Sequence, residues 1–177
     1  PIFTICVDSY SGLINGYSLT WEGGIFSLRN LFLNVVSDKV EWCERKGVFI
    51  NKNQWCSCEL PSTVITDMGT EYKSENLEQL TDLGIKIVNL SAFRPDQKST
   101  IERTFQSIQN LFKCKLKGKG VVEPDYMERT GRDYRKDSCI TMEEMEKIIL
   151  HCIVYYNSQL IVENFPYTNE MLENAVK

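Results

Sequence analysis

The chain has 177 residues, 42% of them hydrophobic and 25% charged, with a formal net charge of −4. This composition suits one globular domain with a real core and excludes a disordered chain, and the longest apolar stretch, Ile148 to Tyr156, contains His151 and is too short to span a bilayer. The charge is uneven: residues 86–136 hold twelve Lys or Arg against six Asp or Glu, so the remainder sums to −10.

Such a basic segment suits either an anion-facing surface, with a phosphate backbone as its natural partner, or a solvated loop of mixed charge. The seven cysteines, at 6, 43, 56, 58, 114, 139 and 152, are scattered. They predict a reduced, cytoplasmic protein in which cysteine serves as a small buried apolar residue. Cys56 and Cys58 have no second ligand pair, which argues against structural zinc, and one histidine in an apolar run argues against a His-dependent triad. A first residue that is not Met, and a helical pattern still running at Lys177, lead us to expect an internal piece of a longer chain.

Residues 2–9 are rich in β-formers and are followed by Ser11-Gly12 and a second run, Leu13 to Thr20, which predicts a β-hairpin. From Phe26 to Lys46, Leu28, Leu31, Phe32, Val35, Val36, Val40 and Cys43 recur at spacings of three and four before Gly47, predicting one amphipathic helix. The β-branched run Ser62 to Thr66, between Pro61 and Gly69, predicts a buried strand whose carboxyl end delivers Asp67. Ser74 can cap a helix over 75–83, Gly84 ends it, and Ile85 to Leu90 reads as another strand. After a loop punctuated by Pro95, Ser99 can cap a helix to about Lys115 with Ile101, Phe105, Ile108 and Phe112 on its apolar face. Residues 117–140 predict a long exposed loop, and Thr141 with Glu144 makes a capping box for a last helix. The order of elements describes an α/β fold, a mixed sheet flanked by helices.

In such sheets ligands meet the carboxyl ends of strands, where Asp67 is placed. Alone, Asp67 reads equally as a turn former or cap, and Glu102 as an exposed helical carboxylate. Their combination says more. Glu102 follows Asp67 by 35 positions, in the expected first turn of a helix whose polar stripe continues through Gln106, Gln109 and Lys113. Carboxylates from two elements can hold hard divalent cations, and two such ions suit in-line displacement at a phosphodiester.

The stretch Val64-Ile-Thr-Asp67-Met-Gly69, then Phe93-Arg94-Pro95-Asp96-Gln97-Lys98 through Ile101-Glu102-Arg103-Thr-Phe105, resembles the second Asp and the Glu of the DDE transposase and integrase catalytic core, of the retroviral integrase superfamily. Ile5-Cys-Val-Asp8-Ser-Tyr10-Ser11 is similar to the second-strand D-x-Y-S of that core. Gly131-Arg132-Asp133-Tyr134-Arg135, Tyr155-Tyr156-Asn157, and Trp55 with Pro61 point to its TnsB and Mu-type transposases.

The resemblance implies an RNase H-like fold with its first, central strand missing, residues 1–160 forming a partial catalytic core and 161–177 a linker toward a further domain. It implies DNA transposition: cleavage of a phosphodiester at transposon ends, then strand transfer of the freed 3′-hydroxyl into target DNA. Asp67 and Glu102 map onto the catalytic, metal-holding positions, with Mg²⁺ or Mn²⁺, two ions, as cofactor. Lys98, Arg103, Gln106 and Gln109 are candidates for DNA contact by their place beside Glu102, or ordinary surface residues. Implied partners are transposon-end and target DNA, further copies of the chain on DNA, and an ATPase or targeting protein; no membrane is implied.

Two departures stand out. The family's first Asp has no counterpart here, since Asp8 matches the later D-x-Y-S aspartate, and Met68 stands where Asn is common. The fragment alone is therefore expected to be inactive. Other readings are a non-catalytic DNA-binding or assembly module and an RNase H-like nuclease that hydrolyses without strand transfer.

Overall fold

The computed structural model describes residues 1–67, 80–90, 95–113, 116, 119 and 138–159. Strands β1 (Ile2–Val7) and β2 (Ile14–Thr20) form the expected antiparallel hairpin, in register from Ile2 opposite Thr20 to Cys6 opposite Gly16, with a bulge before Val7 meets Ile14. Its turn is closed by Asp8, whose side chain accepts from the Ser11 N–H and hydroxyl, and by Gly12 at φ 75°. A positive φ there is the conformation glycine adopts without strain.

The expected single helix over 26–46 is two helices, α1 (Ile25–Val36) and α2 (Lys39–Arg45). Ser37 is extended, and Asp38 accepts from the N–H groups of Val40 and Glu41 as the N-cap of α2. Apolar spacing runs on from Val36 to Val40 and Cys43, so periodicity alone passes over the break, whereas the Asp38 cap makes it favourable. The α2 end matches expectation: Gly47 has φ 73°, and bonds from Val48 N to Cys43 O and from Gly47 N to Glu44 O close a Schellman motif. Lys39 is buried, its Nζ donating to the carbonyls of Asn34, Val35 and Ser37 at 2.6, 2.8 and 3.0 Å.

Side chains alternate across the hairpin. Thr4 and Gly16 face α1: Thr4 Oγ1 lies 2.8 Å from Ser27 Oγ, and a Cβ on Gly16 would sit 2.5 Å from Val35 Cγ2. Phe3, Ile5, Val7, Tyr17 and Leu19 face the main core, built with Ile108 and Phe112 of α3 (Pro95–Lys113) and Ile149, Leu150, Ile153 and Val154 of α4 (Met142–Gln159). The Thr141–Glu144 capping box begins α4 as expected. Glu146 accepts from Tyr17 OH and Lys46 Nζ, both at 2.9 Å, linking α4 to β2 and the end of α2. Leu116 is buried in this core; the 117–140 loop lies almost wholly outside the described residues, as do most of the 75–83 helix and all of 160–177.

Strands β3 (Thr63–Asp67) and β4 (Lys86–Leu90) pair in parallel, Thr63 opposite Lys86 and Asp67 opposite Leu90. The α/β class holds: among the described residues the strands form, flanked by helices, two two-stranded sheets, one antiparallel and one parallel. Between them runs a cleft of about 370 Å³ lined by Ile5 to Ser9 on one side and Thr63 to Thr66 on the other. This also corrects the reading of β3 as buried: Ile65 is 37% exposed, because no strand covers β3 on the cleft side among the described residues. Among the described residues no helix is long and apolar enough to cross a membrane. The cysteines divide: Cys43 is buried, but Cys56, Cys58 and Cys139 are exposed thiols, contrary to their expected burial.

Candidate active site

Asp67 is the last residue of β3, at the carboxyl end of a parallel pair; its side chain lies outside those described. The residue before it, Thr66, is buried and lines the cleft between the two sheets. Strand polarity thus brings the Asp67 backbone to the end of the cleft where α/β sheets meet ligands.

Glu102 arrives from α3. This helix begins at Pro95, four residues before the expected Ser99 cap, so Glu102 is its eighth residue and not in its first turn. Proline suits a first helical position because its φ is already helical and its missing N–H has no intrahelical partner to lose. Thr100 and Ile101, immediately before Glu102, line the same cleft as Thr66. The Glu102 side chain is exposed, and among the described residues its carboxylate has no hydrogen-bonding or ionic partner. The opposite side of the helix is held: Thr104, Ile108 and Phe112 are buried, and the Phe105 ring meets Phe3 of β1 at a centroid distance of 5.2 Å.

Asp8 also lines the cleft, at the end of β1, but its Oδ2 is engaged by Ser11. It therefore serves first as the hairpin's turn acceptor. Beside it, burial pushes the Cys6 thiol up to about 11, and the Asp8 carboxylate pushes the same way. Burial thus favours the neutral thiol form of Cys6. Among the described residues no three His, Cys, Asp or Glu side chains gather as a metal site, and the Asp67 carboxylate is not in that set. The two acids proposed from the sequence, Asp67 and Glu102, would offer oxygen donors, which fit a hard divalent cation and not a soft one.

The expected polar stripe is present on α3. Arg103 and Gln106 are exposed, while Gln109 is half-buried and its Oε1 accepts from Lys113 Nζ at 2.8 Å. Lys98 lies in the helix, but its side chain lies outside those described. Lys119 is exposed; Lys115 and Lys117 lie outside the described residues.

The family model described as the TnsB C-terminal domain matches residues 1–118. The chain belongs to that family. The matched span holds the hairpin, both parallel strands and all of α3, and with them Asp67 and Glu102. Among curated relatives, the TnsB transposition protein of transposon Tn7 from Escherichia coli is 28% identical over 168 residues, 93% of this chain and 24% of that protein. The transposase for transposon Tn552 from Staphylococcus aureus is 29% identical over 119 residues, 67% of this chain and 23% of that protein. The chain thus spans about a quarter of the length of each relative. Among solved structures, the catalytic core domain of BIV integrase aligns with a TM-score of 0.48 at 15% identity, over 98% of this chain and 87% of that one.

In this TnsB C-terminal domain three side chains to which the sequence gives no role tie α4 to α3 and to β2. Thr104 Oγ1 lies 3.2 Å from Tyr156 OH, and Asn157 bonds both backbone groups of Ile14 at the start of β2. The available signal was the Tyr155-Tyr156-Asn157 motif, together with a threonine in helical phase with Ile108 and Phe112.

Proposed function

We propose that this chain is the greater part of the catalytic core of a DNA transposase, in which Asp67 and Glu102 hold divalent metal ions at the cleft between the two sheets. The observation that carries the reading is the convergence on one cleft of the residues next to Asp67 on β3 and next to Glu102 on α3. Membership of the TnsB C-terminal domain family supports the nucleic-acid chemistry. Transposon-end and target DNA are the proposed substrates. Further copies of the protein and an ATPase or targeting protein are the proposed partners.

The cleft takes one further strand, which joins β1 to β3 and carries the third carboxylate. Each of these strands has a single laddered neighbour among the described residues, and the wall between them presents Ile5, Val7, Val64 and Ile65. Apolar side chains and one unused edge on either side are what a central strand meets. The result is one mixed, RNase H-like sheet.

Mg²⁺ or Mn²⁺ bound there supplies polarisation of the phosphodiester and of the attacking oxygen. The protein's own part is positional. Asp67 comes from the end of a strand and Glu102 from the exposed side of a helix anchored on its other side. The proposed site thus draws its two acids from two different elements, as in-line displacement between fixed groups requires. Arg103, Gln106 and Lys98, on the same helix, orient the DNA backbone beside them.

The test is end joining by the full-length protein, using a duplex oligonucleotide with the element's terminal sequence and a supercoiled plasmid target. Joining is expected with Mg²⁺ or Mn²⁺ and absent in EDTA. Joining in EDTA at the metal-supported rate refutes the reading.

A further inference from the structure

Consecutive residues of α4 grip two different elements of the cleft. Tyr156 OH lies 3.2 Å from Thr104 Oγ1, on the helix that carries Glu102, and Thr104 is only 3% exposed. The side-chain amide of Asn157 donates to Ile14 O at 2.9 Å and accepts from Ile14 N at 3.0 Å. Ile14 O also accepts from Trp55 Nε1 at 2.8 Å. Ile14 pairs with Val7, which lines the cleft beside Asp8. Of the residues that the sequence marks out but the proposed chemistry does not use, Trp55 and Asn157 therefore meet at Ile14, while Tyr156, next to Asn157, holds Thr104.

We infer that Tyr156 and Thr104 are positioning residues for Glu102, with Asn157 anchoring the same helix α4 to the hairpin; this rests on the proposed role of Glu102. Ile108 and Phe112 pack against α4, but apolar contacts tolerate small rotations of a helix about its axis. A hydrogen bond between two hydroxyls, one of them buried, is directional and does not. Glu102 and Thr104 sit on one rigid helix, so a rotation that breaks the Thr104–Tyr156 bond swings Glu102 through the same angle. With side chains reaching about 5–6 Å from a helix axis, a turn of about 10° moves the carboxylate by roughly 1 Å. The Phe3–Phe105 contact flanks the hydrogen bond on the other side of the buried stripe, so the two together define the rotation.

The experiment compares Tyr156→Phe, Thr104→Val, their double variant, Thr104→Ser and Glu102→Gln in the full-length protein, reading kcat and KM for joining of the end duplex to plasmid, and the melting temperature of each. Tyr156→Phe removes one oxygen and keeps the ring, and Thr104→Val keeps the shape. Each is expected to lower kcat about tenfold while KM stays within about twofold, because displacement of a reacting group by about 1 Å costs up to a hundredfold. The double variant should be no worse than either single one, and Thr104→Ser should restore the rate. If Glu102→Gln abolishes joining while Tyr156→Phe and Thr104→Val lower only the melting temperature, the hydrogen bond is structural and the positioning role is overturned. Normal joining by Glu102→Gln overturns the proposed function instead, and the positioning role with it.

Discussion

The side chain of Asn157 pairs with the backbone of Ile14 in both directions, 3.0 Å from Ile14 N and 2.9 Å to Ile14 O, across 143 residues of sequence. The amide thus imitates a neighbouring strand at the start of β2. Further along, the fully buried Asn34 does the same in part, its Oδ1 accepting from Tyr17 N at 2.9 Å. Side chains from two helices thereby cover one edge of the hairpin, and the sheet is left to grow on the β1 side, toward the cleft.

Asn157→Ala should therefore destabilise the protein by about 2 kcal/mol, the cost of leaving a part-buried backbone N–H without a partner. Ile14 O keeps its bond from Trp55, so one group and not two is left unsatisfied. Equilibrium denaturation of the wild type and variant measures it, and a change below about 0.5 kcal/mol would mean that water replaces the amide at no cost.

Gly16→Ala should also destabilise, by about 1–3 kcal/mol, because the new methyl would meet Val35 Cγ2 and the backbone of α1 lies close behind it. Pairing this variant with Val35→Ala should recover part of the stability in thermal denaturation. No recovery would mean that the strain falls on the Val35 backbone nitrogen, 3.1 Å away, and not on the side chain.

Stability should depend on pH in the alkaline range through Lys39. Burial pushes its ammonium down to about 8 from the usual 10.5, although three carbonyls keep it charged at neutral pH. Between those values the unfolded state holds more protons than the folded one, so Lys39 makes unfolding harder as pH rises, by up to about 1.4 kcal/mol per unit. Burial pushes the thiols of Cys6 and Cys43 up to about 11, which has the opposite sign: their contribution is complete below pH 9 and is lost as pH rises through 11. Lys39→Met should remove the rise between pH 8 and 9 while leaving the decline above pH 9. Parallel curves for wild type and variant would place the Lys39 proton outside this window.

Neutralising Lys113, Lys115, Lys117 and Lys119 together should weaken binding to a duplex oligonucleotide of arbitrary sequence. It should also flatten the dependence of log K on log salt by up to about 0.9 for each phosphate that these lysines would otherwise neutralise. An unchanged slope would return this segment to the solvated loop of mixed charge that its composition equally allows.

The hairpin, the capping box of α4 and the Gly47 stop were legible because each rests on a local rule: turn residues between β-branched runs, Thr141 three before Glu144, glycine at a positive φ. The break at Ser37–Asp38 was not, because the three- and four-residue apolar spacing continues across it and only the Asp38 cap marks it. The start of α3 was misplaced for a related reason, since Pro95 punctuates a loop as readily as it opens a helix, and Ser99 offers a plausible cap inside the helix. Of the site, the spacing of Asp67 and Glu102 could be read directly. That their neighbours share a cleft depends on how β1 and β3 face each other, and the Thr104–Tyr156 bond joins residues 52 apart, beyond the reach of periodicity.

The most direct measurement is end joining by the full-length protein carrying Asp67→Asn or Glu102→Gln, with the melting temperature of each variant measured alongside. Both substitutions preserve shape and remove only the charge that would hold a cation. Joining should fall below detection in each, with the melting temperature within about 2 °C of the wild type, a shift small enough to leave the fold intact. Joining at the wild-type rate by either variant would contradict a metal-holding role for that carboxylate and, with it, the proposed function.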